Sequence, residues 1–125
     1  MDTVKEAKRY IGNARTILSE KAHKEKGYYQ DRKYVRMAGN TAYSGVLVVL
    51  DSILEDKKEG LKDVKWYKQH LAKMDKRLLD TFVSVYDTLH LAVGYDGNLD
   101  SEVVQTGLKR ADSIIDWVEQ RNAAA

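Results

Sequence analysis

The spacing of apolar side chains over residues 31–55 predicts a long and mostly buried helix. At 100° per residue, one broad arc of the helical wheel collects eight apolar or small residues: Val35, Ala38, Gly39, Ala42, Val46, Val49, Leu50 and Ile53. A narrow polar stripe lies opposite, formed by Asn40, Ser44, Asp51 and Glu55. Asp31 is suited to cap the N-terminus. Because so little of its surface is polar, we expect this helix to lie at the centre of the fold.

Two features of the same stretch leave alternatives open. The run Val46–Leu50 is rich in β-branched residues, so a short strand is the competing interpretation there. Gly39 and Gly45 each cost about 1 kcal/mol of helix propensity relative to alanine. We therefore expect both glycines to mark places where another helix approaches closely.

Helical periodicity also covers most of the remaining chain. A capping-box pattern predicts a first helix from about Thr3 to Ala22. Further helices are predicted at about 63–73, 75–93 and 101–121, and the join at Met74-Asp75 is either a kink or a continuous turn. Residues 56–62 and 94–98 are predicted to be connections.

Together these elements indicate an all-α protein. In the short helix at 63–73, Tyr67 and Leu71 are expected to point inward and Trp66 to lie at the edge. Four long helices and one short helix, joined by brief loops, predict an up-and-down four-helix bundle with one additional short helix. One domain is expected to span residues 1–125.

Composition narrows the class further. The 125 residues include no cysteine and no proline, which excludes disulfides and removes the commonest helix breaker. The opening residues lack the apolar stretch of a secretory signal, and no apolar run approaches the ~18 residues that span a bilayer. We expect a cytoplasmic protein that does not insert into membranes.

Charge is unevenly distributed although the net charge is only +2. Residues 1–36 carry ten Lys or Arg against five Asp or Glu, and residues 57–77 carry eight against three. Residues 78–125 reverse this balance, with three against eight. Such segregation is compatible with a basic patch for an anionic partner, with attraction between protomers, or simply with solvated helix faces.

Most catalytic motifs are absent from the sequence. There is no phosphate-binding glycine loop, no Gly-x-Ser-x-Gly, no His-Glu-x-x-His and no paired Glu-x-x-His. His23, His70 and His90 are isolated, and His90 is expected to be a hydrogen-bonded histidine inside or at the edge of the core. The sequence therefore predicts no catalytic residue, no metal and no cofactor.

Two groups of residues remain as candidates for ligand or nucleic-acid binding. Tyr28 and Tyr29 lie beside the cations Lys24, Lys26, Arg32 and Lys33, so the rings could stack on bases while the cations hold phosphates. The alternative is that one ring fills the end of the bundle and the other lies on the surface. Arg36, Asn40 and Tyr43 share one edge of the central helix.

The chemistry of the second group suits a phosphate or a nucleobase. Arginine offers a bidentate fork to anions, asparagine reads donor and acceptor pairs, and tyrosine stacks. The alternative is a structural hydrogen-bond ladder to a neighbouring helix, with Asp87 or Asp112 as counter-charge.

Residues 28–55 also carry a family resemblance. The stretch Tyr34-Val35-Arg36-Met37-Ala38-Gly39-Asn40-Thr41-Ala42-Tyr43, running into Gly45-Val46-Leu47-Val48-Val49-Leu50-Asp51, resembles a small bacterial family of helical domains of unknown function. More distantly, it is similar to the HEPN (higher eukaryote and prokaryote nucleotide-binding) bundles. The resemblance implies a four- to five-helix bundle, a homodimer, and kinship with toxin nucleases and partners of nucleotidyltransferases.

The sequence departs from the catalytic HEPN pattern of Arg, four to six residues, then His. Arg36 and Tyr43 can be matched, but Thr41 stands where the histidine would be, and threonine is no general acid or base at neutral pH. The resemblance therefore implies a non-catalytic member.

Three hypotheses follow. The first is a homodimeric, HEPN-like binding module for nucleotide or RNA, with Met37, Thr41 and Val48 as a flank for the partner. The second is a ribonuclease that uses Arg36 and a base such as His90. The third is a scaffold that binds only another protein.

Overall fold

The computed structural model of the protein describes residues 2–54 and 62–125. Five α-helices and two π-helical segments account for most of them: α1 (Thr3–Ile17), π1 (Leu18–Ala22), α2 (Arg32–Asp51), α3 (Val64–Met74), α4 (Lys76–Val85), π2 (Tyr86–Tyr95) and α5 (Ser101–Ala124). π1 continues α1, and π2 continues α4. Between π1 and α2, a small antiparallel hairpin joins β1 (Lys24–Glu25) to β2 (Tyr28–Tyr29).

The all-α prediction is confirmed. Val46–Leu50 lies within α2, so the strand alternative is wrong, because helical spacing continues on both sides of this apolar run. The predicted helix end at Glu55 and all but the last residue of the predicted connection 56–62 lie outside the described residues.

An aspartate caps each of the five α-helices. In every case the carboxylate accepts a backbone N–H from the first turn, at 2.8–3.1 Å, through Asp2, Asp31, Asp63, Asp75 and Asp100. A negative side chain at this end is also favoured by the helix dipole. Local sequence therefore sets where these helices begin.

Three local predictions need refinement or correction. The chain breaks between α3 and α4, because Asp75 is extended (φ −164°, ψ 124°) and caps the second helix. Gly94 and Tyr95 are helical rather than part of a loop, since π2 reaches Tyr95. Trp66 is buried, not at the helix edge, because it packs edge-on against Tyr67 at 5.0 Å between ring centroids.

Side chains from all five α-helices meet in one hydrophobic cluster. The predicted inward face of α2 is buried as expected. α1 and α5 run antiparallel, and two ion pairs tie them together on the surface: Lys8 Nζ to Glu119 Oε2 at 2.9 Å, and Arg15 Nη2 to Asp112 Oδ2 at 2.8 Å. Some basic residues near the N-terminus are thus paired with acidic residues near the C-terminus of the same chain.

Both glycines of α2 lie at close helix contacts, as predicted. A Cβ at Gly39 would come within 2.8 Å of the backbone nitrogen of Gly94 in π2. A Cβ at Gly45 would come within 2.7 Å of Cβ of Tyr10 in α1. These contacts bring α1 and π2 against opposite flanks of α2.

Candidate functional site

The predicted edge of α2 faces π2 and the loop that follows it. We call this line of contacts the α2 seam; it consists of Arg32, Arg36, Asn40 and Tyr43 on α2 with His90, Gly94 and Gly97 opposite. The residue order is antiparallel: Arg36 meets Gly97, Asn40 meets Gly94, and Tyr43 meets His90. The structure thus places the three predicted residues along one seam, spread over about 10 Å of helix axis.

Tyr43 lies at the inner end of the seam and is buried. Its ring stacks on His90 at 4.7 Å between centroids and lies 6.4 Å from Phe82 and 6.1 Å from Tyr86. Burial raises the pKa of its phenol, and Tyr86 adds to the effect. Because protein side chains already surround this ring, Tyr43 belongs to the fold more than to a base-stacking surface.

His90 is half-buried between Tyr43 and Tyr86. Its Nδ1 is buried and has no hydrogen-bond partner in the described part of the chain, although a hydrogen-bonded histidine was predicted. The stacked rings therefore hold this imidazole in place where a hydrogen bond was expected.

Asn40 is exposed on α2 but makes one contact across the seam. Its side-chain amide donates to the carbonyl of Gly94 at 3.4 Å, a long bond. A Cβ at Gly94 would collide with the same amide group. Asn40 thus makes one hydrogen bond of the kind that the structural-ladder alternative predicted, whereas Tyr43 makes ring contacts instead. Asp112 pairs with Arg15 and supplies no counter-charge here.

Arg36 differs from its two neighbours. Arg32 and Arg36 are both exposed, and neither makes an ion pair or a side-chain hydrogen bond to any residue of the described ranges. The aliphatic part of Arg32 and Nε of Arg36 both lie against Gly97, where a Cβ would collide with the Arg32 side chain and come within 3.0 Å of Arg36 Nε. Gly97 has a φ of +69°, which glycine adopts without strain.

Sequence reasoning counted Arg32 among the cations beside Tyr28 and Tyr29 but did not pair it with Arg36. The four-residue spacing of the two arginines was a readable signal, since such residues lie on one helix face. The contact of Gly97 with the two arginines could not be predicted from the sequence, because it depends on where the loop after π2 lies.

The two tyrosines of the hairpin are separated by the fold. Tyr29 is buried, and its hydroxyl accepts a hydrogen bond from the Gln105 amide at 2.9 Å, whereas Tyr28 is 55% exposed. The alternative of one ring in the bundle and one on the surface is therefore what the structure contains. Tyr28 lies opposite Glu25 and bridges to Asp100, so acidic rather than basic residues adjoin it.

Lys33 lies on the first turn of α2. Its Nζ is 5.2 Å from the ring centroid of Tyr34, a cation–π contact, and it is exposed. It therefore adds positive charge near Arg32 and Arg36 without joining the contacts of the seam.

The fold and the seam define a small helical bundle with an exposed pair of arginines. Within the described ranges no helix has the length and apolar character to cross a membrane, and no group of three or more His, Asp or Glu side chains is placed to hold a metal ion.

The chain belongs to the family described as "Domain of unknown function (DUF5618)", which matches residues 2–120. It is also similar to a solved structure described as a protein of unknown function from Dyadobacter fermentans, with 59% identity, a TM-score of 0.92 and 96% of each chain covered. No curated protein matches the chain. The predicted resemblance to a family of unknown function is confirmed to that extent, and the HEPN likeness stays a prediction.

Proposed function

We propose that this domain is a non-catalytic binding module whose Arg32–Arg36 pair holds phosphate groups of a nucleotide or an RNA strand. The observation that carries the proposal is that both guanidiniums lack an acidic partner among the described residues, while the Arg32 stem and Arg36 Nε lie against Gly97. Like charges four residues apart on a helix repel each other. An anion between them would remove that repulsion and accept charge-assisted hydrogen bonds.

The surroundings of the pair favour the same kind of ligand. Residues 23–36 carry five Lys or Arg against two Asp or Glu, a local net charge of +3. One of the two acids, Asp31, already accepts the N–H of Lys33 as the α2 cap. An excess of positive charge at an exposed surface attracts phosphate backbones regardless of sequence.

The geometry supports binding rather than cleavage. Arg36 and Tyr43 are about 10 Å apart along the helix axis, and His90 stacks on Tyr43 at the far end of the seam. A general base must reach the proton it abstracts at hydrogen-bond distance. His90 is therefore poorly placed to act on a phosphate held by Arg36, and Thr41 cannot replace it.

We include a homodimer in the proposal because of exposed apolar side chains on both sides of the seam. Met37 on α2 is 42% exposed, and Leu91 and Tyr95 on π2 are 38% and 76% exposed. Leu91 and Tyr95 are four residues apart and flank Gly94, which faces Asn40. A second copy covering these residues would remove apolar surface from water.

Fluorescence anisotropy of an end-labelled single-stranded RNA of about 12 nucleotides, measured over a series of salt concentrations, tests the ligand. We expect affinity to fall steeply as salt rises. R32Q and R36Q should each lower the slope of log affinity against log salt by about 0.7, the share of one phosphate contact on a single strand. K109Q removes one positive charge from an exposed site on α5 and is the matched control.

The outcomes separate the hypotheses. If RNA does not bind at low salt, the protein-only scaffold is the remaining hypothesis. If K109Q lowers the salt slope as much as R32Q and R36Q do, overall charge rather than the arginine pair is responsible for binding. Cleavage of the RNA by the wild-type chain, abolished by R36A, would replace the proposal with the ribonuclease.

Sedimentation equilibrium at tens of micromolar protein tests the homodimer. We expect a dimer whose dissociation constant rises in L91E, because a buried charge opposes association. Y28E, which alters an exposed ring away from the seam, is the control. A wild-type monomer would refute the dimer without affecting the RNA result.

A further inference from the structure

A cavity of about 390 Å³ lies at the end of α1, and none of the α2 seam residues lines it. Its walls are formed by Arg15, Leu18, Ser19, Lys24, Tyr29 and Gln105. The volume is within the range of small-molecule sites, about 300–1,000 Å³.

The backbone around the cavity departs from regular helix in two ways. Leu18 and Ser19 belong to π1, the π-helical end of the first helix. Directly after it, His23 (φ 51°) and Lys26 (φ 52°) adopt left-handed backbone conformations, which non-glycine residues rarely do. Both kinds of irregularity are over-represented at functional sites.

The hairpin that follows π1 places Lys24 and Tyr29 on the same side. The two residues are directly paired across β1 and β2, and side chains of paired residues project from the same face. As a result the Lys24 cation and the Tyr29 hydroxyl both border the cavity.

Two hydrogen-bonding groups at the cavity have unused capacity. Tyr29 Oη accepts from Gln105 Nε2 at 2.9 Å, but the phenolic proton itself has no acceptor among the described residues. Gln105 Oε1 likewise has no donor there. The cavity thus offers one donor and one acceptor side by side.

The charges at the cavity favour a monoanion. Arg15 is paired with Asp112 at 2.8 Å, so its charge is already balanced. Lys24 has no acidic partner within the described ranges. One uncompensated positive charge remains, which suits a carboxylate better than a dianionic phosphate.

We propose that this cavity binds a small carboxylate that carries a primary amide, whose N–H and C=O can point to the same side. The carboxylate pairs with Lys24, the amide N–H donates to Gln105 Oε1, and the amide carbonyl accepts the Tyr29 hydroxyl proton. The buried Leu18 side chain provides an apolar floor for the rest of the ligand. This site is independent of the proposed phosphate site.

Titration of the ¹⁵N-labelled full chain with succinamate, the monoamide of succinic acid, followed by ¹H–¹⁵N NMR spectra, tests the site. We expect saturable shifts at Lys24, Tyr29 and Gln105. K24Q and Y29F should each weaken the affinity by about tenfold, the effect of one hydrogen bond to a charged or buried group. K76Q removes an exposed lysine of α4 outside the cavity and should leave the affinity unchanged.

The neutral analogue succinamide completes the design and should bind about tenfold more weakly, since it lacks the carboxylate. Shifts that never saturate, shifts centred outside the cavity, or equal affinity of K24Q and wild type would overturn the proposal. Retained dispersion in the Y29F spectrum establishes that the variant is folded, and K24Q alters an exposed side chain, so the result does not depend on Y29F alone.

Discussion

At the residue scale, side-chain hydrogen bonds and ring contacts decide how neighbouring helices are joined. The buried Tyr67 of α3 donates its hydroxyl proton to Asp51 Oδ1, at the end of α2, at 2.7 Å. Its ring lies 5.8 Å from Phe82 of α4. Burial raises the pKa of this phenol, and the hydrogen bond to Asp51 raises it further. One tyrosine thus connects three helices.

Replacing Tyr67 with phenylalanine keeps the ring and removes the hydroxyl. We expect Y67F to lower the free energy of unfolding by about 1–2 kcal/mol, because a hydrogen bond to a carboxylate is lost. Urea unfolding monitored by circular dichroism gives the value. Y95F, which alters a 76% exposed tyrosine, should change it by less than about 0.5 kcal/mol. Equal stability of Y67F and wild type would contradict the role assigned to the hydroxyl.

At the element scale, the pairing of α2 with π2 decides the shape of the seam. π2 contains i→i+5 hydrogen bonds, and at its end the N–H of Asp96 donates to the carbonyl of Leu91 at 2.9 Å. Because Gly39 has no side chain, α2 approaches π2 so closely that Gly39 faces the backbone of Leu89 and Gly94. Sequence reasoning could anticipate a close contact at Gly39, but not which element would make it.

A pair of glycine substitutions tests this contact. G39A should destabilise the protein by about 1–3 kcal/mol, because its Cβ would meet backbone atoms of Gly94 and Leu89 at 2.8 and 2.9 Å. G12A is the matched control: nothing lies within 4 Å of its Cβ, so the gain in helix propensity should stabilise the protein by up to about 1 kcal/mol. Thermal and urea unfolding compare the two, and destabilisation of both variants to the same extent would argue against close packing at Gly39.

At the scale of the whole molecule, the buried tyrosines link stability to pH. Tyr43 and Tyr67 both have pKa values raised above the usual value of about 10. Above that pH, the unfolded chain releases these protons more readily than the folded chain does. The contribution of the two tyrosines to the free energy of unfolding is therefore fully present below about pH 10 and is lost as the pH rises beyond it.

We expect the free energy of unfolding to decline above about pH 10. A Y43F/Y67F double variant should show a shallower decline, because the two linked protons are absent. Urea unfolding between about pH 7 and pH 11 gives the profiles, and the Y95F variant should follow the wild type. Parallel profiles for the double variant and the wild type would show that other groups cause the decline.

The local sequence determined most of the secondary structure of this protein and the face that α2 buries. Apolar periodicity fixed the helices and the inward face of α2, and the capping aspartates fixed where the helices begin, because both depend on residues within one or two turns of each other. The shared edge of Arg36, Asn40 and Tyr43 was readable for the same reason.

Tertiary structure decided which of those edge residues are exposed and which are buried. Tyr43 is covered by His90, and Arg32 and Arg36 both lie against Gly97. In each case more than 40 residues separate the α2 residue from its contact along the chain. Tyr29 meets Gln105 across a similar distance in sequence. These contacts depend on the antiparallel packing of whole helices and on the π-helical turns within them, which no local pattern of side chains specifies.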